Sequence, residues 1–252
     1  MAGHSKFKNI QHRKGAQDAK RAKLFTKLTR EILVAAKSGG GDPGFNPRLR
    51  TALAAARAAN VPNHRIDTAI KKATSASESE NFEEITYECY LPGGVALVVD
   101  TLTDNKNRTS SEIKSILNKH GGSLAASGAV LYLFERLGLI EFKDKNISPE
   151  KILEATIEVG GTDCESFSGE HQVTCDHDKL HEIQMSLTEK FGDPTSAKLI
   201  WKPKTTIAID TQEKAEKILT ALDVLEDSDD VQNIYGNYEI SDKVIAKLNQ
   251  PQ

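Results

Sequence analysis

Lysine and arginine are spaced along the first third of this chain so that many cations can meet a row of phosphates. Lys6, Lys8, Arg13 and Lys14 lie on a polar segment with no apolar run to fold it, and Lys20, Arg21, Lys23, Lys27 and Arg30 follow closely. At about 100° per residue, Lys20, Lys23, Lys27 and Arg30 share one side of a helix, opposite Leu24, Phe25, Leu28, Ile32, Ala35 and Ala36. Arg48 and Arg50 follow Asn46-Pro47, at a helix start where free backbone N–H groups also favour an anion. Cations that converge on a phosphodiester chain gain free energy largely by releasing its condensed counterions. The chemistry these residues suit is therefore the binding of a nucleic-acid backbone. For a single stripe, a merely solvated face would explain the charge equally well; an arm, a stripe and a second helix start together argue for a phosphate surface. His4, His12 and Phe7 add rings able to stack on bases or sugars. No helix-turn-helix signature, zinc-finger spacing or RNP aromatic motif accompanies them. A lysine-rich stripe positions on phosphate more than it reads base edges, so the residues leave DNA against RNA open.

The charge of the whole chain hides this division. Its 252 residues carry 33 Lys and Arg against 36 Asp and Glu, a net −3. Residues 1–75 hold 16 Lys and Arg against four acids, a balance of +12, which leaves 17 against 32, or −15, for the remainder. A basic head on an acidic body points to a polyanionic partner, with the acidic part facing away from phosphate or meeting protein.

Other chemistry is thinner. Lys106 and Arg108, in the loop Asp104–Arg108 ahead of a helix, form a second-choice anion site; equally, Asp104 and Asn105 simply satisfy turn backbone. His171, Cys175, His177 and His181 cluster, and His177 and His181 have helix-face spacing for a metal, yet Cys175 falls on a strand facing a core, so no metal site is assigned. The run Glu226, Asp227, Asp229 and Asp230 is open to three readings: a Mg²⁺ site, a solvated loop, or contact with the basic surface of a partner. No phosphate-binding glycine loop, zinc-protease helix or nucleophile elbow is present, so the expectation is a protein that is not an enzyme and needs no cofactor. Cys89, Cys164 and Cys175 are odd in number and lack CxxC spacing, which fits a reducing compartment. The charged N-terminus is no secretory signal, and the longest apolar runs are strand-sized. A soluble cytoplasmic protein with no membrane partner is expected.

The elements that must position these residues follow from periodicity. Residues 1–15 read as a basic arm and 16–75 as a three-helix domain: a first helix stopped by Gly39-Gly40-Gly41, a second opened by Asn46-Pro47, a third after Pro62-Asn63 with Ile66 and Ile70 on one face. Residues 76–81 are a linker. Strands then alternate around Ile85–Cys89 and Val95–Leu102, a helix opens at the capping box Thr109-Ser110-Ser111-Glu112, and a strand covers Val130–Arg136. Residues 137–203 read strand, helix, strand, strand, helix, strand, the ferredoxin-like order. The elements of 204–242 complete the set begun at 82–136, so the third domain is inserted into the second, and 243–252 form a tail. The expected fold class is a three-helix domain followed by two ferredoxin-like α+β domains, the third inserted in the second.

Four strings, MAGHSKFKNIQHRKGAQDAKRAKLFTKLTREI, GGGDPGFNPRLR, DNKNRT and LEDSDDVQNIY, resemble the YebC family of bacterial proteins and their mitochondrial relatives, over nearly the whole chain. The resemblance implies a three-helix N-terminal domain with two α+β domains. It also implies DNA-binding control of transcription as the first role. A ribosome-linked role is the second: members include a mitochondrial translational activator of cytochrome oxidase, and some ease synthesis through proline runs. Ribosomal RNA would then replace DNA as the partner. A protein-only adaptor is the third reading. The family usually has Trp where this chain has Phe7, which keeps a ring and loses an indole donor. The family pattern does not hold the His171–His181 cluster.

Overall fold

In a computed structural model of the chain, residues 17–75 and 81–248 are described. Three helices lead: α1 (Gln17–Gly39), α2 (Pro47–Ala58) and α3 (Asn63–Thr74). α1 ends where glycine is required twice over. Gly40 has φ +86°, and a Cβ on Gly39 would lie 2.7 Å from the Asn46 side chain. Asn46 is the N-cap of α2: its Oδ1 accepts from the Leu49 N–H at 3.0 Å. Its Nδ2 donates to the carbonyls of Ala35, at 2.7 Å, and Gly40, at 2.8 Å. One buried amide thus closes the end of the first helix and opens the second. Ile32, Ala35 and Ala36 of α1, Leu49, Leu53 and Ala56 of α2 and Ile66 and Ala69 of α3 are buried, as their 3–4-residue spacing demands.

The first sheet has the order β3-β1-β2-β9, from β1 (Glu83–Leu91), β2 (Val95–Thr103), β3 (Ser123–Leu124) and β9 (Val231–Gly236). β2 pairs with a neighbour on each side and is buried along its length except at Asp100, which explains its unbroken apolar run. α4 (Lys106–Lys119) and α7 (Gln212–Glu226) cover one face, so Ile113, Leu117, Ile218, Leu222 and Leu225 pack with Cys89, Val95, Leu97 and Val99. A parallel pair, β8 (Ile207–Ile209) with β10 (Tyr238–Ile240), and the short α8 (Asp242–Leu248) adjoin this core.

Between β3 and β9 the chain builds a second sheet, of order β5-β6-β4-β7: β4 (Phe134–Lys143), β5 (Asp163–Phe167), β6 (Glu170–Asp176) and β7 (Ser196–Pro203). With α5 (Pro149–Glu158) after β4 and α6 (Leu180–Phe191) after β6, this is the ferredoxin-like βαββαβ. Ile152, Ala155, Ile183 and Leu187 cover Ile140, Phe142, Val173 and Cys175. The fold class is thus the expected one, leading helices followed by antiparallel sheets with α+β topology. Of the described residues, those through Lys27, from 81 to 135 and from 203 to 248 pack as one unit; 28 to 75 and 136 to 202 pack as another.

Two local readings need correction. The helix expected to open at Thr109 starts at Lys106, with Asn105 as the cap whose side chain accepts from the Arg108 N–H at 3.1 Å. Thr109 is fully buried inside the first turn, its hydroxyl 2.7 Å from Asp230 Oδ2 and 2.7 Å from Thr103 Oγ1. The strand expected from Val130 begins at Phe134, after a 3₁₀ turn at Leu131–Leu133. Glu88 is the cause. Its buried carboxylate accepts the backbone N–H groups of Gly128, Val130 and Leu131, which are therefore not available to a sheet ladder.

Candidate nucleic-acid interface

The cations singled out from sequence fall into three groups. Lys6, Lys8, Arg13 and Lys14 lie outside the described residues, and Lys20 is placed only as part of the α1 backbone. A second group is engaged within the chain. Lys23 pairs with Asp227 at 2.9 Å, and Lys27 Nζ donates to the Glu226 carbonyl at 2.8 Å. Burial lowers the Lys27 pKa, against the opposing pull of Glu226, Asp229 and Asp227. Arg21 lies over the Phe25 ring, 5.4 Å from its centroid, and Arg30 is half-buried. Arg48 forks onto Glu31, Nε to Oε1 at 2.7 Å and Nη2 to Oε2 at 3.1 Å. In the third group, Arg50 is exposed and makes no ion pair among the described residues.

Arg50 has company that the sequence reading passed over. Arg57 lies seven residues on, two helical turns along the same flank of α2, and Arg65 and Lys72 repeat that spacing on α3 beside Lys71. All are exposed, and none has an ion-pair partner among the described residues. The signal is present in the sequence as two i, i+7 pairs, sparser than the stripe on α1. Phe45 was also missed. It stands 89% exposed one residue ahead of the α2 cap, in the loop that joins two basic helices.

The second-choice anion site is occupied by carboxylates. Arg108 Nη2 donates to Asp104 at 2.7 Å and to Asp230 at 2.9 Å, which raises the guanidinium pKa further. Lys106 is exposed, and its carbonyl accepts from the Tyr87 hydroxyl at 3.2 Å. Arg108 therefore serves an internal network, with Asp230, Thr103 and Thr109 buried around one carboxylate oxygen. The acidic run contacts cations of its own chain: Asp227 meets Lys23, Asp230 meets Arg108, and the Glu226 carbonyl accepts from Lys27.

Of the His171–His181 cluster, His171 and Cys175 are committed to packing, whereas His177, 3.1 Å from Asp178, and His181 are exposed. His171 is buried, with Nδ1 2.8 Å from Ser166 Oγ and Nε2 3.3 Å from the Asp144 carbonyl. Cys175 sits in the second core, and no group of three or more His, Cys, Asp or Glu among the described residues is placed to hold a metal ion. Burial pushes the Cys89 thiol up to about 12 and that of Cys175 to about 11, so both stay protonated near neutrality. No described helix is long and apolar enough to cross a membrane.

Comparison with known proteins adds lineage to this geometry. One family model, described as the TACO1/YebC protein N-terminal domain, matches residues 5–76. A second, described as the TACO1/YebC second and third domain, matches residues 82–238. Two proteins of Rickettsia bellii, strains OSU 85-389 and RML369-C, are each 52% identical to this chain over 248 residues. The alignments cover 98% of this chain and 97% and 98% of the relatives, and both carry the name probable transcriptional regulatory protein. The crystal structure of a conserved hypothetical protein from Aquifex aeolicus superposes with a TM-score of 0.81 at 46% identity, over 92% of this chain and 96% of that one.

Proposed function

Because the chain belongs to the TACO1/YebC family, we propose that it is a non-enzymatic regulator of gene expression that binds nucleic acid in the cytoplasm. DNA is the first ligand and transcription the process controlled. The observation that carries the reading is the set of exposed cations with no ion-pair partner among the described residues, Arg50, Arg57, Arg65, Lys71 and Lys72, on two successive helices. The names of the Rickettsia relatives support regulation of transcription. A ribosomal RNA ligand is the second reading; the exposed ring of Phe45 favours it, since a paired groove gives a projecting ring no base to stack on. The acidic α+β sheets then offer surface to protein partners.

The test is the salt dependence of binding. If about six phosphates of B-DNA are engaged, log K falls against log salt with a slope near −5. Changing Arg50, Arg57, Arg65 and Lys72 to Gln together should flatten that slope by about three and a half units, at about 0.9 per lost contact, with melting temperature unchanged because all four are exposed. An unaltered slope refutes the assignment of these residues. Sedimentation of lysate separates DNA from ribosome: co-migration with ribosomal particles that survives DNase and collapses with RNase replaces DNA by the second ligand.

A further inference from the structure

Phe45 is exposed in a setting where helix structure normally provides a partner. It occupies the position before the N-cap, and a hydrophobic side chain there usually packs against the fourth residue of the helix. That fourth residue is Arg50, and the ring stays 89% exposed. The fold therefore makes almost no use of the ring. It does use the backbone beneath it. Asp42 Oδ1 accepts from the Gly44 N–H at 2.8 Å, the Phe45 N–H reaches the Asp42 carbonyl at 3.2 Å, and Asn46 ties Gly40 and Ala35 to the start of α2. The ring is thus carried on a hydrogen-bonded loop, so binding through it orders little additional chain.

The surroundings indicate what the ring meets. Arg50 follows five residues on, exposed, and Arg57 continues its flank, while Arg48 is engaged by Glu31. A flat aromatic face beside guanidinium groups matches a nucleotide, in which a base stacks while its phosphate takes the cation. An apolar pocket on an ordinary protein has no use for the cations, and a base inside a duplex has both faces covered. We infer that Phe45 is a stacking platform for an unpaired base, so that the helical region binds single-stranded nucleic acid in preference to duplex. The inference rests on the nucleic-acid reading above and names the form of ligand that reading leaves open.

The experiment compares the full chain with Phe45→Ala and Phe45→Trp on labelled oligo(dU) and oligo(U) and on the corresponding duplexes. On at least one single strand, Phe45→Ala should weaken binding about tenfold or more, with an unchanged salt slope because no charge is lost. Duplex binding should stay within about twofold of the parent, and Phe45→Trp should restore single-strand binding. Whichever oligomer shows the loss identifies the sugar. If Phe45→Ala binds both single strands as tightly as the parent, or loses single strand and duplex equally, the platform is wrong while the basic surface stands. A parent chain that binds none of these probes ends both readings.

Discussion

At the scale of single residues, the described structure is held by buried polar side chains that each serve several backbone groups. Glu88 is the clearest. Burial works to raise its pKa, but the N–H donors of Gly128, Val130 and Leu131 outweigh it, and the carboxyl titrates below the usual range. A depressed carboxylate adds stability that is fully present above its unfolded pKa, about 4.3, and is lost as pH falls through the folded value. Glu88→Gln should therefore cost about 1 to 3 kcal/mol at neutral pH, because an amide cannot accept at both ends of the cradle. In urea melts the gap between variant and parent should begin to narrow below about pH 4 and close as pH falls through the lower folded value; a gap that does not narrow as pH falls means the lost contact is steric, not ionic. Such residues divide what the sequence discloses from what it withholds. Asn46 was legible because a cap acts on its own neighbours. Glu88 was not, because the groups it holds lie about forty residues downstream.

Elements show the same division. α1, α2, α3 and the β1–β2 hairpin were readable from apolar period, proline and glycine, since each is stopped or started by local chemistry. α4 was misread. Thr109-Ser110-Ser111-Glu112 has capping-box spacing, but Thr109 is needed inside the helix, where Asp230 takes its hydroxyl across 121 residues of sequence. The real cap makes a direct prediction. Asn105→Ala removes the acceptor for the Arg108 N–H and should cost about 0.5 to 2 kcal/mol, read from the denaturation midpoint. If instead Glu112→Ala costs as much while Asn105→Ala is silent, the helix opens at Thr109 in solution.

For the molecule as a whole, the question is how a basic head and an acidic body share one chain without the second neutralising the first. They do so partly by pairing: Asp227 lies on Lys23, the Glu226 carbonyl on Lys27, and Asp229 adds to the negative potential there. Two of the cations legible as a phosphate stripe are therefore already answered, a fact invisible to any reading of the first 75 residues alone. The answer is a weak one. Lys23 and Asp227 keep 37% and 57% of their side-chain surface exposed. An exposed pair of this kind is worth between nothing and about 1 kcal/mol, less than a phosphate backbone offers the same cation through counterion release. A polyanion should therefore displace the acidic loop at low salt. Neutralising Asp227 and Asp229 to Asn in the full chain should tighten nucleic-acid binding several-fold and steepen the salt slope by up to about two units on duplex DNA. The opposite approach, reversing Lys23 and Lys27, would set like charges against Asp227 and Asp229 and confuse lost binding with lost folding. Should the Asp→Asn pair leave affinity and slope where they were, Lys23 and Lys27 belong to the fold, and the interface is the Arg50–Arg57 and Arg65–Lys72 flanks alone.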